Sequence, residues 1–177
     1  MATRNGQWNW QDEARKLRHE HDALERIRQA WVEYLGQWVW DWFCTLTFRK
    51  ELVHPEAAGK ASRFWIAKIN RRLYGSRWYK KGEGISWVRA LEMQRRNVPH
   101  YHMLVRGAGV NELLRLYWMD EWEKIAGYAR IERPRDANAV REYCTKYVIK
   151  GGEIDIGGPM SAPVPSLFDV QSGSTES

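Results

Sequence analysis

Two apolar-rich runs, Ile85 to Gln94 and Tyr101 to Arg106, are separated only by a polar stretch containing Arg95, Arg96, Asn97 and Pro99, and this pairing constrains the chain more than any other feature. Aromatic and β-branched residues bounded by turn formers favour extended backbone, and so short a connection predicts an antiparallel hairpin. A hairpin alone is marginal in water, so its apolar faces need cover from the rest of the chain. Val39 to Phe48 (VWDWFCTLTF) reads as a further strand, because Cys44, Leu46 and Phe48 alternate with Thr45 and Thr47. Helical spacing runs from about Asp12 to Gln37 through Ala14, Leu17, Leu24, Ile27, Trp31 and Leu35, and again over Ala57 to Leu73 behind Pro55. Asn111 to Ala126 predicts another helix, Tyr128 to Glu132 a last strand, and Ala137 to Lys150 a last helix stopped by Gly151 and Gly152. The order helix-strand-helix-strand-strand-helix-strand-helix contains the split βαβ plan, an α+β arrangement.

The expected fold is thus an antiparallel sheet with a ferredoxin-like or RRM-like core and helices on one face. Residues 1–150 are expected to form one domain, with the N-terminal helix at about 12–37. Residues 151–177, rich in Gly, Pro and Ser, read as a flexible tail. Lys and Arg outnumber Asp and Glu by 28 to 22, which favours polyanionic partners. The 11 Trp and 8 Tyr serve either as core filler or as platforms for unpaired bases. Cys44 and Cys144 stand far apart with no CxxC neighbour, so neither a disulfide framework nor a zinc knuckle is indicated. The first residues lack an apolar signal core and no segment is apolar enough to span a bilayer, so the expectation is a cytoplasmic protein without membrane association.

The chemistry concentrates in PHYHMLV, Pro99 to Val105. Alternate residues of a strand share a face, so His100 and His102 point one way and Tyr101 the other. Two imidazoles on one face suit a divalent cation, and Glu92 on the hairpin's other strand can add a carboxylate, a set that fits Mn²⁺ or, with lower intrinsic affinity, Mg²⁺. Two half-buried structural histidines would give the same pattern. In REYCTKYVIKGG, helical spacing puts Tyr143, Lys146, Tyr147 and Lys150 in one stripe. A phenol is a poor nucleophile near neutral pH, with an unperturbed pKa of about 10, so attack needs a nearby cation or base. The same stripe also reads as the solvent edge of a helix that buries Val148 and Ile149.

Together WFCTLTF, PHYHMLV and EYCTKYVIK, in that order over about Phe43 to Lys150, resemble the three motifs of HUH endonucleases of the replication initiator branch. The likeness is nearest to prokaryotic plasmid and single-stranded DNA phage initiators, whose third motif is YxxK, often YxxKY. The resemblance implies a metal site at His100, His102 and Glu92, and a nucleophile at Tyr143 with Lys146. Tyr147 with Lys150 repeats the motif, so one tyrosine or two alternating tyrosines fit, with Tyr143 ranked first. It also implies nicking and rejoining of single-stranded or hairpin origin DNA through a 5′-phosphotyrosine. No GxxxxGK[ST] occurs, so unwinding is expected from a host helicase, with a host polymerase extending the primer. The first motif is assigned no chemistry; Thr45 and Thr47 at most line the DNA path.

The basic aromatic segment Arg71, Arg72, Tyr74, Arg77, Trp78, Tyr79, Lys80 and Lys81 is the candidate for strand binding, or else a solvated loop. The competing readings are a single-tyrosine transposase with the same chemistry, and a non-catalytic RRM-like nucleic-acid-binding module.

Overall fold

The computed structural model describes residues 9–50, 54–93, 98–135, 140, 143, 146–147 and 154–160. Helix α1, Trp10–Leu35, begins where the Asn9 side chain accepts a hydrogen bond from the Gln11 N–H at 3.1 Å. Its apolar stripe is buried only at its end, by Trp31, Tyr34 and Leu35, while Leu17 and Leu24 stay exposed. Strand β1, Trp42–Thr47, is shorter than expected at its start. There Asp41 turns its carboxylate to the Gly107 N–H at 2.9 Å and Val39 faces solvent.

Helix α2, Pro55–Tyr74, has proline at its first position, where the missing N–H costs nothing, and ends at Gly75 with φ 81°. Strands β2, Ser86–Met93, and β3, Pro99–Arg106, form the antiparallel hairpin, whose connecting residues 94–97 lie outside the described ones. The third helix is shorter than its apolar spacing suggests. A 3₁₀ turn, Val110–Glu112, comes first, with the Asn111 side chain bonded to Asp41, and α3 spans Arg115–Ile125. Strand β4 is Ala129–Glu132. Of the expected last helix, Val140 and Tyr143 are helical and Lys146 and Tyr147 take a π-helical turn; Lys150 and the remainder lie outside the described residues.

The sheet order is β4-β1-β3-β2-β5 with every pairing antiparallel. β3 lies between β1 and β2, and β1 between β3 and β4, so both crossovers, through α2 and α3, are split βαβ units. Strand β5, Ile154–Gly157, corrects the expectation of a loose tail from Gly151 onward, for it pairs with β2 from Trp87↔Gly157 to Ala90↔Ile154. Arg89 explains its docking: this buried guanidinium meets the Asp155 carboxylate at 2.5 Å, and a buried charge is tolerated only when paired. Glycine is required at 157, since an added Cβ would collide with the Trp87 ring. Residues 161–177 lie outside the described residues.

Under α2 and α3, the core gathers Cys44, Leu46, Tyr101, Met103, Trp65 and Trp122. Each fully buried tryptophan removes about 200 Å² from water, roughly 5 kcal/mol before entropy is counted, so core filling accounts for Trp42, Trp65 and Trp122. The other face carries a second cluster, in which the end of α1 joins Val88, Leu104, Val140, Tyr143 and Tyr147. Helical cover is therefore continuous on the α2/α3 face, while α1 and the tyrosine segment lean on the reverse face. No described helix is long and apolar enough to cross a membrane.

Candidate metal and nucleophile site

The hairpin and β1 set the site by register. Thr47, His100 and Glu92 stand in one row across β1, β3 and β2, and Thr45, His102 and Ala90 in the next. All six therefore share the face away from α2 and α3. Both histidines are buried, and each rests its Nδ1 against a threonine hydroxyl, His100 on Thr47 at 3.0 Å and His102 on Thr45 at 3.3 Å. The first motif thus has a role that its residue types alone do not assign: it holds the imidazoles. Strand alternation puts Thr45 and Thr47 on one face, but only the β1–β3 register shows which residues they touch.

With Nδ1 engaged, Nε2 is left for a ligand. His100 Nε2 is buried and has no hydrogen-bond partner, a costly arrangement unless something else occupies that position. His102 Nε2 lies 3.0 Å from the half-buried Glu92 carboxylate. Among the described residues, no group of three His, Cys, Asp or Glu side chains is gathered to hold an ion as it stands. The donor types nevertheless fit one: an orphaned imidazole nitrogen, a second imidazole and a carboxylate in adjacent rows of one face.

Burial lowers the pKa of His100, partly opposed by Glu92. Burial also brings His102 down to about 4, against the hydrogen bond and charge of Glu92. Neutral imidazole is the metal-ligating form. The same shift makes the metal-free fold sensitive to acid. Below about pH 6.5 the unfolded chain takes up a proton that folded His102 refuses until about pH 4. Stability is fully present above pH 6.5 and is lost as the pH falls to 4, by at most roughly 3 kcal/mol. Thermal melts in EDTA across that range should show the loss, and His102→Gln should flatten it; an unchanged profile would remove the account.

The expected nucleophile segment reaches this face. The Tyr147 ring stacks on His102 with centroids 3.8 Å apart, and Tyr143 donates from its hydroxyl to the His102 carbonyl at 3.1 Å. Phe43 packs beside both tyrosines. Tyr143 and Tyr147 are buried, so a helix with its tyrosines at the solvent edge is not what forms. Lys146 is exposed and departs from the expected common stripe, although its Nζ still lies 5.3 Å from the Tyr147 ring centre. The π-helical turn widens the local spacing and accounts for that departure.

The basic segment lies elsewhere. Arg71 and Arg72 end α2, Trp78–Lys81 form a 3₁₀ turn after Arg77, and Tyr74 bonds to the Ala108 carbonyl past the far end of β3. From His100 to that end is about 20 Å at about 3.3 Å per residue, and α2 covers the opposite face. These residues, with Tyr79, Lys80 and Lys81, are therefore not part of the histidine site.

The family model for the replication-associated protein ORF2 family matches residues 41–152. The chain belongs to this family. The match takes in β1 to β4, both histidines, Glu92 and both tyrosines, and leaves out α1 and β5. Membership makes this a replication-associated protein, with a role in the initiation of replication. No curated protein and no solved structure gave a significant match.

The threonines yield a test. Thr47→Val keeps the shape of the side chain and removes the hydroxyl that orients His100. Partners of this kind are worth about 10- to 100-fold in metal affinity, so Mn²⁺ titration by calorimetry should show a loss of that order. Equal affinity would mean the hydroxyl only packs.

Proposed function

We infer that the chain is a metal-dependent tyrosine endonuclease of the HUH type that nicks and rejoins single-stranded DNA at a replication origin. One observation carries the reading: the tyrosines of YxxKY stand on the sheet face that presents His100, His102 and Glu92, one of them in ring contact with His102. His100, His102 and Glu92 would hold Mn²⁺ or Mg²⁺, whose chemistry is to withdraw charge from the scissile phosphate.

The tyrosine oxygen attacks phosphorus, its proton passes to solvent, and the P–O3′ bond breaks to give a 5′-phosphotyrosine and a free 3′-OH. The bond energy is conserved in the new ester, so a later 3′-OH reverses the step and joins the strand. Tyr147 is the better placed first nucleophile: Tyr143 commits its hydroxyl to the His102 carbonyl, while the Lys146 ammonium lies near the Tyr147 ring and favours its phenolate. This reverses the order in which the motif alone ranks them. Unpaired DNA is required because a buried tyrosine on the sheet cannot reach a phosphate inside a stacked duplex. A host helicase would supply that substrate and a host polymerase would extend the 3′-OH, which places the reaction in the cytoplasm.

The test is incubation with Mn²⁺ and labelled single-stranded origin DNA, followed by denaturing electrophoresis. A metal-dependent covalent adduct is expected. Binding without any adduct would leave a non-catalytic nucleic-acid module instead.

A further inference from the structure

Edge strand β4 carries side chains that neither the core nor the chemistry above uses. Its Ala129 and Ile131 are buried under α2 and α3, so Arg130 and Glu132 stand on the reverse face, with the histidines. Register places Arg130 beside Thr45 and Thr45 beside His102. At about 4.8 Å between strands, Arg130 lies about 10 Å from His102 along the backbone row, a span a guanidinium can largely bridge.

The Thr47 N–H bonds the Tyr128 carbonyl at 2.8 Å, which carries the ladder one step past β4 and sets Tyr128 two residues from Arg130 on the same side. Tyr128 is 68% exposed, and the Arg130 side chain is 62% exposed in an open pair with Glu132 of little energetic worth. The support beneath them is tight. A Cβ on Gly127 would collide with the Thr47 carbonyl oxygen, and Trp122 donates to that same oxygen at 3.1 Å. An exposed ring is thus held firmly at the rim of a phosphate-handling site, with a cation next to it.

An unpaired nucleotide offers the complementary groups, a flat base and a phosphate. We propose that Tyr128 and Arg130 bind the nucleotide that flanks the cut, Tyr128 stacking on its base and Arg130 holding its phosphate. The location beside the cut rests on the nicking reading; the binding itself does not. DNA then enters over the β4 edge rather than along Arg71 to Lys81.

The measurement is anisotropy of a fluorescein-labelled oligothymidylate with the full chain in EDTA, where no cutting occurs. Tyr128→Ala should raise Kd about tenfold, Tyr128→Phe should keep the wild-type value, and Arg130→Ala should lower the salt slope of binding by about one. A wild-type chain that does not bind, or Tyr128→Ala and Arg130→Ala variants that bind with wild-type Kd and salt slope, overturns the proposal even where adducts form normally. Weakened binding in these variants, alongside no adduct with any origin DNA, keeps this surface and removes the nicking reading.

Discussion

Tyr147→Phe is expected to abolish formation of the first covalent adduct, a loss of at least about a thousandfold, since removal of a nucleophile leaves only binding and electrostatic assistance. Tyr143→Phe should still form it. The basis is the two hydroxyls' surroundings: that of Tyr143 is engaged by the His102 carbonyl inside the protein, and Tyr147 stacks on the imidazole itself. Losing the Tyr143 hydrogen bond should cost about 1 kcal/mol of stability, visible as a lower melting temperature without loss of the adduct. If rejoining uses the second hydroxyl, Tyr143→Phe will accumulate nicked product, whereas Tyr147→Phe will show none. Adduct lost with Tyr143→Phe alone would reverse the assignment.

The second large effect concerns His100. Its Nε2 is buried without a partner, and such an atom costs about 1 to 3 kcal/mol when nothing satisfies it. His100→Leu should therefore leave the metal-free fold no less stable than the wild type, yet abolish metal-dependent nicking by about a thousandfold or more. In the wild type, Mn²⁺ at one hundred times its Kd should add about 2.7 kcal/mol of stability, read as a rise in melting temperature. That rise should vanish in His100→Leu and also in His102→Gln. A variant that keeps both the rise and the nicking would show that these histidines are structural.

Much of the fold and of the histidine pair is legible in the residue pattern. Period-two alternation in CTLTF and PHYHMLV and period-3.6 spacing in the helices depend only on where side chains point along their own element, so element types and the shared face of His100 and His102 follow locally. The three motifs in order point to a replication initiator, and the family match agrees at that coarser level. Local periodicity also marks both tyrosines, although it leaves open whether they are buried.

What only the tertiary structure decided is which residues from different elements meet. The β1–β3 register turned Thr45 and Thr47 into supports for the imidazoles, and the β1–β4 register brought Arg130 to the same face. Strand β5 had no local signal in four residues bounded by glycine; it exists because β2 had an open edge and Arg89 a buried charge to pair. The basic run from Arg71 to Lys81 looked suited to DNA by composition, but composition carries no position, and the packing of α2 put it at the other end of the sheet. Sequence periodicity determines which way each side chain points along its own element, whereas strand order and helix packing, set by burial of the whole core, determine what it faces.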